Sequence, residues 1–479
     1  MRILFVTSEL ATIFKLGGLA DVSYALPVAL TKLGIHVDIV MPFYEKIKLH
    51  TARCVGQIAV DFDRRRELVF IFRTQIPQTN VSVYLFRHPK LNDYSGHKTA
   101  EVFAFFSKTV TELYLYTPHI FGETYDIVHC NDWHTALIPL LLGEHQKVGY
   151  QRKHTIQSES TKTVLTIHNL LYQGETGIGT ALRLGIPKNL FHVFTTPLGR
   201  AVKLLREGLD YADVITTVSP SYAKEMIAGS QGDSIRSILA QRKDRLVGIL
   251  NGIDEHLWNP HTDPALWETY TLQSVREAKA KNKALLRKAL HLQEKRVPLF
   301  GFVGRLEARQ KGIDLLMQSI RYLPRNAYQL ALLGTGTEKI VEKIKILAKD
   351  HPNISFIHTF DERLARRIYA GADVMLVPSK FEPCGLTQMI AMRYGTLPLV
   401  RNTGGLADSV IDGRDGFVFE KYSEKDLTVS MKKARETYTN EPTQWHTMIK
   451  HAMKKDFSWD RSAKAYKRLY KSLIVNRKS

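Results

Sequence analysis

The chain has 479 residues, 44% of them hydrophobic, and its 67 Lys and Arg against 47 Asp and Glu give a formal net charge of +20. This composition is ordinary for a globular protein, and the length suits roughly two to four domains. The strongest apolar stretches, such as residues 136–142, are too short to cross a bilayer, so we expect no membrane span. Three scattered cysteines exclude a disulfide framework and zinc-type spacing, which favours a reduced, cytoplasmic setting.

The positive charge favours an anionic partner without naming it, since nucleic acid, an acidic surface and a phosphorylated substrate all carry the required charge. At the amino terminus, residues 1–6 are largely apolar, but Ser8 and Glu9 end this run early. We therefore expect a first buried strand there and no secretory leader.

Short β-rich runs alternate with amphipathic helical patterns along almost the whole chain. The predicted strands form two sets, residues 3–7, 37–41, 127–129, 164–168, 214–218 and 246–250, then residues 299–303, 328–333, 354–358, 374–377 and 397–400. Apolar strands separated by helices indicate parallel sheets that are covered on both faces. We predict two Rossmann-like α/β domains of similar size, 1–250 and 251–459, with the change in the irregular segment 251–267.

Two further helices are predicted beside this alternation. Residues 274–296 are rich in Ala, Lys, Arg and Leu, which predicts a helix whose basic face is solvated. Residues 459–473 carry a closing helix, because their apolar side chains recur at helical spacing. These side chains are Ala463, Tyr466, Leu469, Tyr470 and Leu473.

The pentapeptide GGLAD occurs twice, at residues 17–21 and 404–408, each time after a predicted strand and before a helical pattern. Ligands of doubly wound sheets bind beyond the carboxyl ends of strands, where glycine lets the backbone approach and a helix start offers N–H groups to an anion. Two ordinary tight turns are the alternative. Gly334 and Gly336 form a similar short turn that could lie against a base or a ribose. After the first copy, we expect Pro27 to kink or interrupt the helix.

Two stretches offer cations to a phosphate-bearing ligand. Lys15 stands two residues before the first glycine pair, where its point charge could reach a diphosphate. The loop 304–312 follows the first strand of the second domain and carries Arg305, Arg309 and Lys311 just before a helix. Its position favours an anion site over a basic surface loop, although its spacing matches no Walker or dinucleotide fingerprint.

The segment 379–387 follows another strand of the second domain and leads into a helix. Gly385 and Thr387 could donate hydrogen bonds at that helix start. Glu382 precedes it, and its carboxylate suits sugar hydroxyls or, more simply, the helix dipole. Cys384 is expected to be a packed thiol, since no neighbouring base is evident.

Two polar clusters follow neighbouring strands of the first domain. Asp132 and His134 follow one strand, and His168 and Asn169 follow the next. Their equivalent positions favour a polar cleft, although a lone histidine is more often structural. Neither a Ser-His-Asp relay nor a metal-ligand spacing emerges, so we expect no metal.

Taken together, these segments resemble the bacterial glycogen synthase and plant starch synthase family. The resemblance covers nearly the whole chain, in the family's order: SELATIFKLGGLADVSYALP, HCNDWHTALIPL, TIHNLLYQG, YADVITTVSPSYA, ILNGID, GRLEARQKGID, LLGTG, VPSKFEPCGLTQMIAMRYGTLPLVRNTGGLADSV, GFVFE and DFSWDRSAKAYKRLY. It implies the GT-B architecture, two Rossmann-like domains facing across a central cleft, with the helix in 460–479 packing back on the first. It also implies that glucose passes from the substrate ADP-glucose to the non-reducing 4-hydroxyl of an α-1,4-glucan such as glycogen, with retention and without cofactor or metal.

The resemblance also implies roles for individual residues. As the catalytic set, it places His168 beside the glucose 6-hydroxyl and Glu382 at the donor sugar. In the same set, Arg305 and Lys311 hold the diphosphate. The donor-binding residues that it implies are Lys15, Gly17, Gly18, Asn169, Gly334, Gly336, Cys384, Gly385, Leu386 and Thr387. It places Asp132 and His134 near the acceptor or the cleft.

The chain departs from the family pattern at two places. Five residues separate Arg305 from Lys311 where the family usually has four, so either the loop bulges or Arg309 takes part of a partner's role. The acceptor-side loop usually carries a tyrosine after Asn-Pro, and in the segment 87–98 the candidate is Tyr94.

Rival functions stay open on the sequence. A related transferase could use UDP-glucose to make a small glycoside such as sucrose. The net charge suggests a nucleic-acid-binding protein, but the basic residues are dispersed rather than interleaved with aromatics, so we expect no nucleic-acid partner. A catalytically silent glucan-binding homologue conflicts with the presence of the donor residues. The sequence sets no oligomeric state.

Overall fold

The computed structural model describes residues 1–92, 94, 99–116, 120, 124–147, 161–197, 199–228 and 233–475. The chain forms two compact units, one made of Met1–Asn251 with Trp459–Ser479 and the other of Gly252–Ser458. The division falls at the start of the irregular segment in which the sequence places the domain change.

The first unit is built on a nine-stranded sheet with the order β12-β11-β7-β6-β1-β2-β5-β4-β3. Its strands are β1 (Arg2–Val6), β2 (His36–Pro42), β3 (Arg53–Phe62), β4 (Arg65–Gln75), β5 (Ser82–Arg87), β6 (Ile127–Asn131), β7 (Lys162–Ile167), β11 (Val214–Thr217) and β12 (Leu246–Gly248). Each of the six strands predicted for this half overlaps one of them. The apolar run of β1 is fully buried, as expected for a parallel strand covered on both faces.

One edge of this sheet differs from the prediction of parallel sheets. β3 pairs antiparallel with β4, and β4 pairs antiparallel with β5. A separate antiparallel sheet has the order β8-β10-β9, with β8 (Glu175–Gly177), β9 (Phe194–Thr196) and β10 (Gly199–Lys203). β3 and β4 alternate polar with apolar side chains because one face of the hairpin meets solvent, so a search for continuous apolar runs misses them.

The first unit also contains helices. They are α1 (Gly18–Lys32), α2 (Thr99–Tyr116), α3 (Leu137–Lys147), α4 (Gly179–Arg183), α5 (Leu204–Tyr211), α6 (Pro220–Ala228) and α7 (Asp233–Gln241). α1 continues through Pro27, so the interruption expected there does not occur. The proline removes one helical hydrogen bond, and burial of Leu26 and Leu30 on the same helix offsets that cost.

The second unit contains a six-stranded, fully parallel sheet with the order β15-β14-β13-β16-β17-β18. Its strands are β13 (Leu299–Val303), β14 (Gln329–Leu333), β15 (Ile354–Ile357), β16 (Val374–Val377), β17 (Leu397–Arg401) and β18 (Phe417–Phe419). Its helices are α8 (Val275–Ala289), α9 (Ile313–Ser319), α10 (Glu338–Asp350), α11 (Glu362–Gly371), α12 (Thr387–Arg393), α13 (Gly404–Ser409), α14 (Glu424–Asn440) and α15 (Pro442–Met453).

α8 differs from the predicted helix in its length and in the placement of its charges. It ends at Ala289 rather than near residue 296. Lys279, Lys283 and Arg287, four residues apart, lie on its buried side. The prediction of a solvated basic face is wrong for these three side chains, because their charged groups bind acceptors inside the unit. Lys283 Nζ, for example, lies 2.5 Å from Asp373 Oδ2.

The last helix, α16 (Trp459–Val475), belongs to the first unit. Tyr470 on this helix places its hydroxyl 2.7 Å from Nδ1 of the buried His129 in β6. Lys467 Nζ donates to the carbonyl of Leu33 at 2.6 Å, next to the end of α1. Within the described ranges, every helix is too short or too polar to span a lipid bilayer.

Each main sheet has one point at which the direction of chain progression reverses. In the first unit the chain runs from β1 to β2 on one side and from β6 to β7 on the other, so this switch point lies between β1 and β6. In the second unit it lies between β13 and β16. Open α/β sheets bind ligands beyond the carboxyl ends of strands at such points, which directs attention to four loops.

Candidate active site

The loop after β1 is folded around the carboxylate of Glu9. Oε2 of Glu9 accepts hydrogen bonds from the backbone N–H groups of Leu16, at 2.7 Å, and Gly17, at 2.8 Å. Between this loop and the first turn of α1, Lys15 Nζ lies 2.7 Å from Asp21 Oδ1 in a partly exposed ion pair. Such a pair contributes about 1 kcal/mol or less, so Lys15 is able to exchange Asp21 for a stronger anion.

Gly17 and Gly18 stand at the start of α1 with open space in front of them. A Cβ built at either position would meet no described atom within 4 Å. Gly17 is the N-cap and brings no side-chain acceptor to the first N–H groups of the helix. Packing among the described residues therefore does not require glycine here, whereas close approach of a ligand to the helix start would.

Asp132, directly after β6, has a backbone conformation that glycine alone adopts readily. Its φ of 60° and ψ of −176° cost a residue with a side chain on the order of 1–3 kcal/mol. The backbone N–H of Asp132 donates to the carbonyl of Thr166 at 2.8 Å, and its carboxylate accepts from the N–H of Trp133 at 3.2 Å. A strained, buried carboxylate beside a switch point favours a functional role over a purely structural one.

Glu9 and Asp132 place two buried carboxyl groups at the same switch point. Burial, together with the negative charge of Glu9, raises the pKa of Asp132 to about 8. Hydrogen bonds from the backbone N–H groups of three residues oppose this rise. Burial also raises the pKa of Glu9. Carboxyl groups with raised pKa values are typical of sites that bind or exchange protons.

His168 follows β7 and is oriented by Asn131. Asn131 donates through Nδ2 to the carbonyl of Val6 at 3.0 Å, so its Oδ1 accepts from Nε2 of His168 at 3.0 Å. The proton of the ring therefore sits on Nε2, and burial lowers the pKa of His168 to about 3. Next to it, Asn169 Oδ1 accepts from the N–H of Leu171 at 3.1 Å and closes a turn.

His134 is packed among aromatic rings. Its ring stacks on that of Trp133 with 4.1 Å between centroids and meets the ring of Phe103 edge-on at 4.5 Å. Burial lowers the pKa of His134 to about 3, so the ring is neutral at neutral pH. These contacts favour a supporting role for His134 behind Asp132.

Tyr94 lies against the loop that follows β1. Its ring centroid is 4.8 Å from that of Phe14, and its hydroxyl accepts a hydrogen bond from Lys46 Nζ at 3.2 Å. Of the acceptor-side segment predicted around it, residues 93 and 95–98 lie outside the described residues. Tyr94 thus borders the loop that carries Lys15.

In the second unit, one ion pair joins the two loops at the switch point. Lys311, after β13, places Nζ 2.7 Å from Oε2 of Glu382, after β16. The same carboxylate oxygen accepts from Ser379 Oγ at 2.8 Å. The carboxylate of Glu382 is buried, while Lys311 is a quarter exposed and has further N–H bonds to donate. A cation suited to phosphate and a carboxylate suited to sugar hydroxyls lie side by side.

Arg305 is the more exposed cation of the same loop. Its guanidinium lies 3.5 Å from Glu307 Oε2 and 3.4 Å from Gln310 Oε1, both long contacts. Within the five-residue spacer, the N–H of Lys311 donates to the carbonyl of Glu307 at 2.9 Å and closes a turn. The side chain of Arg309 is exposed.

Gly334 and Gly336 are required by the packing of neighbouring loops. A Cβ at Gly334 would lie 1.9 Å from the carbonyl oxygen of Gly304, and one at Gly336 would lie 2.7 Å from that of Leu306. The N–H of Leu306 also donates to the carbonyl of Thr335 at 2.7 Å. This turn thus braces the loop that carries Arg305.

The second GGLAD copy packs against the Glu382 loop. Gly404 opens the six-residue helix α13, so the glycines lie inside the helix and not in a turn before it. A Cβ at Gly405 would lie 2.2 Å from the carbonyl oxygen of Cys384. The N–H of Gly405 donates to the carbonyl of Glu382 at 3.0 Å. Glycine here allows two backbones to touch.

The start of α12 follows the Glu382 loop. Gly385 has a φ of 74°, Leu386 is the N-cap and Thr387 is the first helical residue, and all three are partly exposed. The Thr387 side chain lies near the hydroxyl of Tyr369 of α11 and opposes the rise that burial causes in the pKa of Tyr369. Cys384 is a buried thiol, as the sequence predicts.

Two residues at these loops escaped the sequence reasoning. Glu9 has no distinctive spacing, since its partners are backbone N–H groups that only the folded loop brings to it. Phe360, in the loop after β15, is 85% exposed at the carboxyl edge of the second sheet, next to the loop of Gly334. A large aromatic residue directly after a predicted strand is the signal that could have identified Phe360.

One group of described residues has spacing that could suit a metal ion. The ligand atoms of His192, Glu207 and Asp210 lie within 4.8 Å of one another, on α5 and the segment before it. His192 Nδ1 already contacts Glu207 Oε2 at 3.1 Å, and Arg206 Nη1 lies 3.6 Å from Asp210 Oδ2. This group does not follow a strand of the main sheet and is not among the predicted site residues.

The two halves of the chain match different family models. The model described as the starch synthase catalytic domain matches residues 2–241, and the model described as glycosyl transferases group 1 matches residues 283–452. The glycogen synthase of Pseudothermotoga lettingae is 38% identical over 493 aligned positions, which cover 99% of each chain. That of Fervidobacterium nodosum is 40% identical, with 98% of each chain covered.

Solved structures agree with these matches. The catalytic domain of starch synthase IV from Arabidopsis thaliana, bound to ADP and acarbose, superposes with a TM-score of 0.87 at 31% identity, covering 99% of each chain. A sucrose-phosphate synthase from Thermosynechococcus elongatus, at 17% identity and a TM-score of 0.61, shares the fold alone. The chain therefore belongs to the glycogen synthase and starch synthase family of GT-B glycosyltransferases.

Proposed function

We propose that the chain transfers glucose from ADP-glucose to the 4-hydroxyl at the non-reducing end of an α-1,4-glucan, with retention of configuration. The observation that carries this proposal is the pair of Lys311 and Glu382, 2.7 Å apart at the switch point of the second sheet. It sets a cation for the leaving diphosphate beside a carboxylate for the donor sugar. Family membership and the ADP in the Arabidopsis structure support the same donor.

On this proposal, the loops of the second unit bind the donor. Arg305 and Lys311 hold the diphosphate, and Glu382 accepts hydrogen bonds from the glucose hydroxyls. The N–H groups and hydroxyl at the start of α12 add donors, from Gly385 to Thr387. Phe360 offers an exposed ring face on which a nucleotide base could stack.

Residues of the first unit serve the same reaction. Lys15 and the open helix start at Gly17 and Gly18 contribute to the diphosphate, for which the space in front of the two glycines leaves room. His168, neutral and protonated on Nε2, presents Nδ1 as an acceptor to a glucose hydroxyl. Asp132 faces the acceptor, and its raised pKa suits a group that exchanges a hydrogen bond with a hydroxyl.

The chemistry follows from the charges. Breaking the bond between glucose and phosphate builds positive charge on the sugar and negative charge on ADP. Lys15, Arg305 and Lys311 would stabilise the latter, at about 3 kcal/mol for each well-placed donor in a dry site. The acceptor hydroxyl attacks on the face that ADP leaves, and the departing phosphate takes its proton. Trapping of a glucosyl-enzyme adduct would contradict this same-face route.

The test is transfer of radiolabelled glucose from ADP-glucose or UDP-glucose to glycogen. We expect transfer from ADP-glucose, with kcat reduced about 100-fold to 1000-fold in Lys311→Ala and in Glu382→Ala. Lys345→Ala is the matched control, since Lys345 is an exposed lysine of the same unit that pairs with Glu342. Faster transfer from UDP-glucose, or undiminished transfer in both variants, would overturn the proposal.

The remaining expectations concern metal, cellular location and polymer partner. We propose that the reaction needs no metal, because three cationic side chains supply the charge that a metal would, and activity should survive EDTA. We propose a cytoplasmic enzyme with a glucan and not a nucleic acid as its polymer partner. A filter-binding titration across salt concentrations would contradict the latter if it showed tight, salt-sensitive binding.

A further inference from the structure

Lys279 on α8 carries a buried ammonium group that is surrounded by neutral oxygen atoms. Its Nζ donates to the hydroxyl of Thr396 at 2.6 Å and to the carbonyl of Ala370 at 2.9 Å. The carbonyls of Tyr394 and Tyr369 lie at 3.3 Å and 3.4 Å. The residue is 8% exposed. We call these four acceptors the oxygen shell.

The oxygen shell joins the ends of two helices. Tyr369 and Ala370 are in the last turn of α11, and Tyr394 is the C-cap of α12. The last carbonyls of a helix lack intrahelical partners and carry partial negative charge, so a cation placed there is stabilising. One ammonium group therefore serves both helix ends at once.

Both helices lead to the candidate donor site. α12 begins at Thr387, directly after the loop of Glu382. The side chain of Thr387 lies near the hydroxyl of Tyr369, whose carbonyl belongs to the oxygen shell, and opposes the rise that burial causes in the pKa of Tyr369. Displacing the C-terminal end of α12 would thus move its first residue, Thr387, and the Glu382 loop before it.

We propose that Lys279 is a positioning residue for the donor site. Its ammonium group acts as a built-in monovalent cation that fixes α11 against α12, and with them the loop from Glu382 to Thr387. Lys279 does not touch the substrate in this scheme. The kinetic test of this inference rests on the proposed function, because it measures the KM for ADP-glucose. The cation role of Lys279 rests on the contacts with the oxygen shell.

The charges and dipoles around Lys279 determine how strongly its ammonium group is stabilised. Burial, together with the positive charge of Lys283, lowers the pKa of Lys279 to about 7, and the negative charge of Asp373 opposes this change. Asp373 is itself paired with Lys283, so the shell provides Lys279 with dipoles and not with a carboxylate. Carbonyl and hydroxyl oxygens are also the ligands that potassium and ammonium ions accept.

The experiment removes the side chain and supplies the cation from solution. In Lys279→Ala we expect the KM for ADP-glucose to rise at least tenfold, with a smaller change in kcat. Ammonium or potassium chloride should restore this KM, and should raise the Tm of the variant more than that of the unsubstituted protein. Tetramethylammonium chloride at the same ionic strength should do neither, because the ion is too large for the shell.

Two further variants separate positioning from general loss of stability. Lys279→Met keeps the length of the side chain without the charge or the cavity, so we expect the raised KM without rescue by ammonium. Lys281→Ala is the control, since Lys281 lies on the same helix, is exposed and pairs with Glu268. We expect it to match the unsubstituted protein in every salt.

Three results would overturn the proposal. They are an unchanged donor KM in both Lys279 variants, equal rescue by tetramethylammonium, and failure of both variants to fold in every salt. If the unsubstituted protein transferred no glucose from ADP-glucose, the proposed function would fail. The ammonium-specific change in Tm of Lys279→Ala would still test the cation role of Lys279.

Discussion

The two GGLAD segments share five letters but differ in what their glycines face. At the first copy, a Cβ on Gly17 or Gly18 would meet no described atom within 4 Å. At the second copy, a Cβ on Gly405 would lie 2.2 Å from the carbonyl oxygen of Cys384. The first glycine pair therefore leaves space for a ligand, while Gly405 of the second copy allows the Cys384 loop of the same unit to pack closely. The same five residues after equivalent strands can therefore have different structural roles.

The largest expected effect is at the second copy. Gly405→Ala forces a methyl group against a backbone carbonyl that cannot retreat without moving Glu382, whose carbonyl Gly405 also binds. We expect a loss of about 2–3 kcal/mol in the free energy of unfolding, together with loss of glucose transfer. Denaturant unfolding and the radiolabel assay measure the two. A Gly405→Ala variant as stable as the parent would contradict the claim that packing requires glycine at the second copy.

The next effect is at the first copy and is kinetic. Gly18→Ala adds a methyl group where the described residues leave space, so unfolding should change by less than about 1 kcal/mol. The donor KM should rise about tenfold, which corresponds to about 1.4 kcal/mol of lost binding. Gly179→Ala is the control, because Gly179 also starts a helix of this unit and faces open space among the described residues. An unchanged KM in Gly18→Ala would contradict the hypothesis that the donor closely approaches Gly17 and Gly18.

A third effect appears as a dependence of stability on pH in the first unit. The pKa of Asp132 is about 8 in the folded state against about 3.9 when unfolded, so folding binds a proton between these values. Stability should fall as pH rises from about 4 to about 8, by at most about 1.4 kcal/mol per pH unit from this group. Asp132→Asn should remove that part of the slope. Unfolding of both proteins at several pH values measures it, and parallel slopes would contradict the assignment.

The smallest effect concerns the carboxylate that shapes the first loop. Glu9→Gln keeps one oxygen for the N–H groups of Leu16 and Gly17 but removes the charge that strengthens these bonds. We expect the donor KM to rise about threefold, or about 0.7 kcal/mol, with little change in stability because burial of a charge is relieved. Glu45→Gln, at an exposed site of the same unit, is the control. Equal KM values in the two variants would show that the loop holds its shape without Glu9.

Much of the fold was predictable because apolar, β-rich runs mark parallel strands. The eleven predicted strands all overlap strands of the two main sheets, within about two residues at their ends. β3, β4, β5 and β18 match no predicted strand. For β3 and β4 the reason is that one face of their hairpin is solvated and their apolar residues alternate with polar ones. α8 was misjudged in its charges, since composition does not reveal that backbone carbonyls surround Lys279.

For the candidate site, the sequence predicts the loops and their charged residues but not the contacts between those residues. Loops that follow strands at a switch point could be found from glycines and charges, which is how Lys15, Arg305, Lys311 and Glu382 were named. The contact of 2.7 Å between Lys311 and Glu382 joins residues far apart in the sequence, so no local pattern announces it. The role of Glu9 depends on a loop conformation, which spacing alone does not reveal.

The backbone of Asp132 has a consequence for protein engineering. A library selected for heat resistance alone should enrich Asp132→Gly, because glycine relaxes the dihedral angles and removes a desolvated acid in one change. Clones that win such a selection would be expected to make no polymer. Any effort to harden this enzyme therefore needs a turnover screen alongside the thermal one.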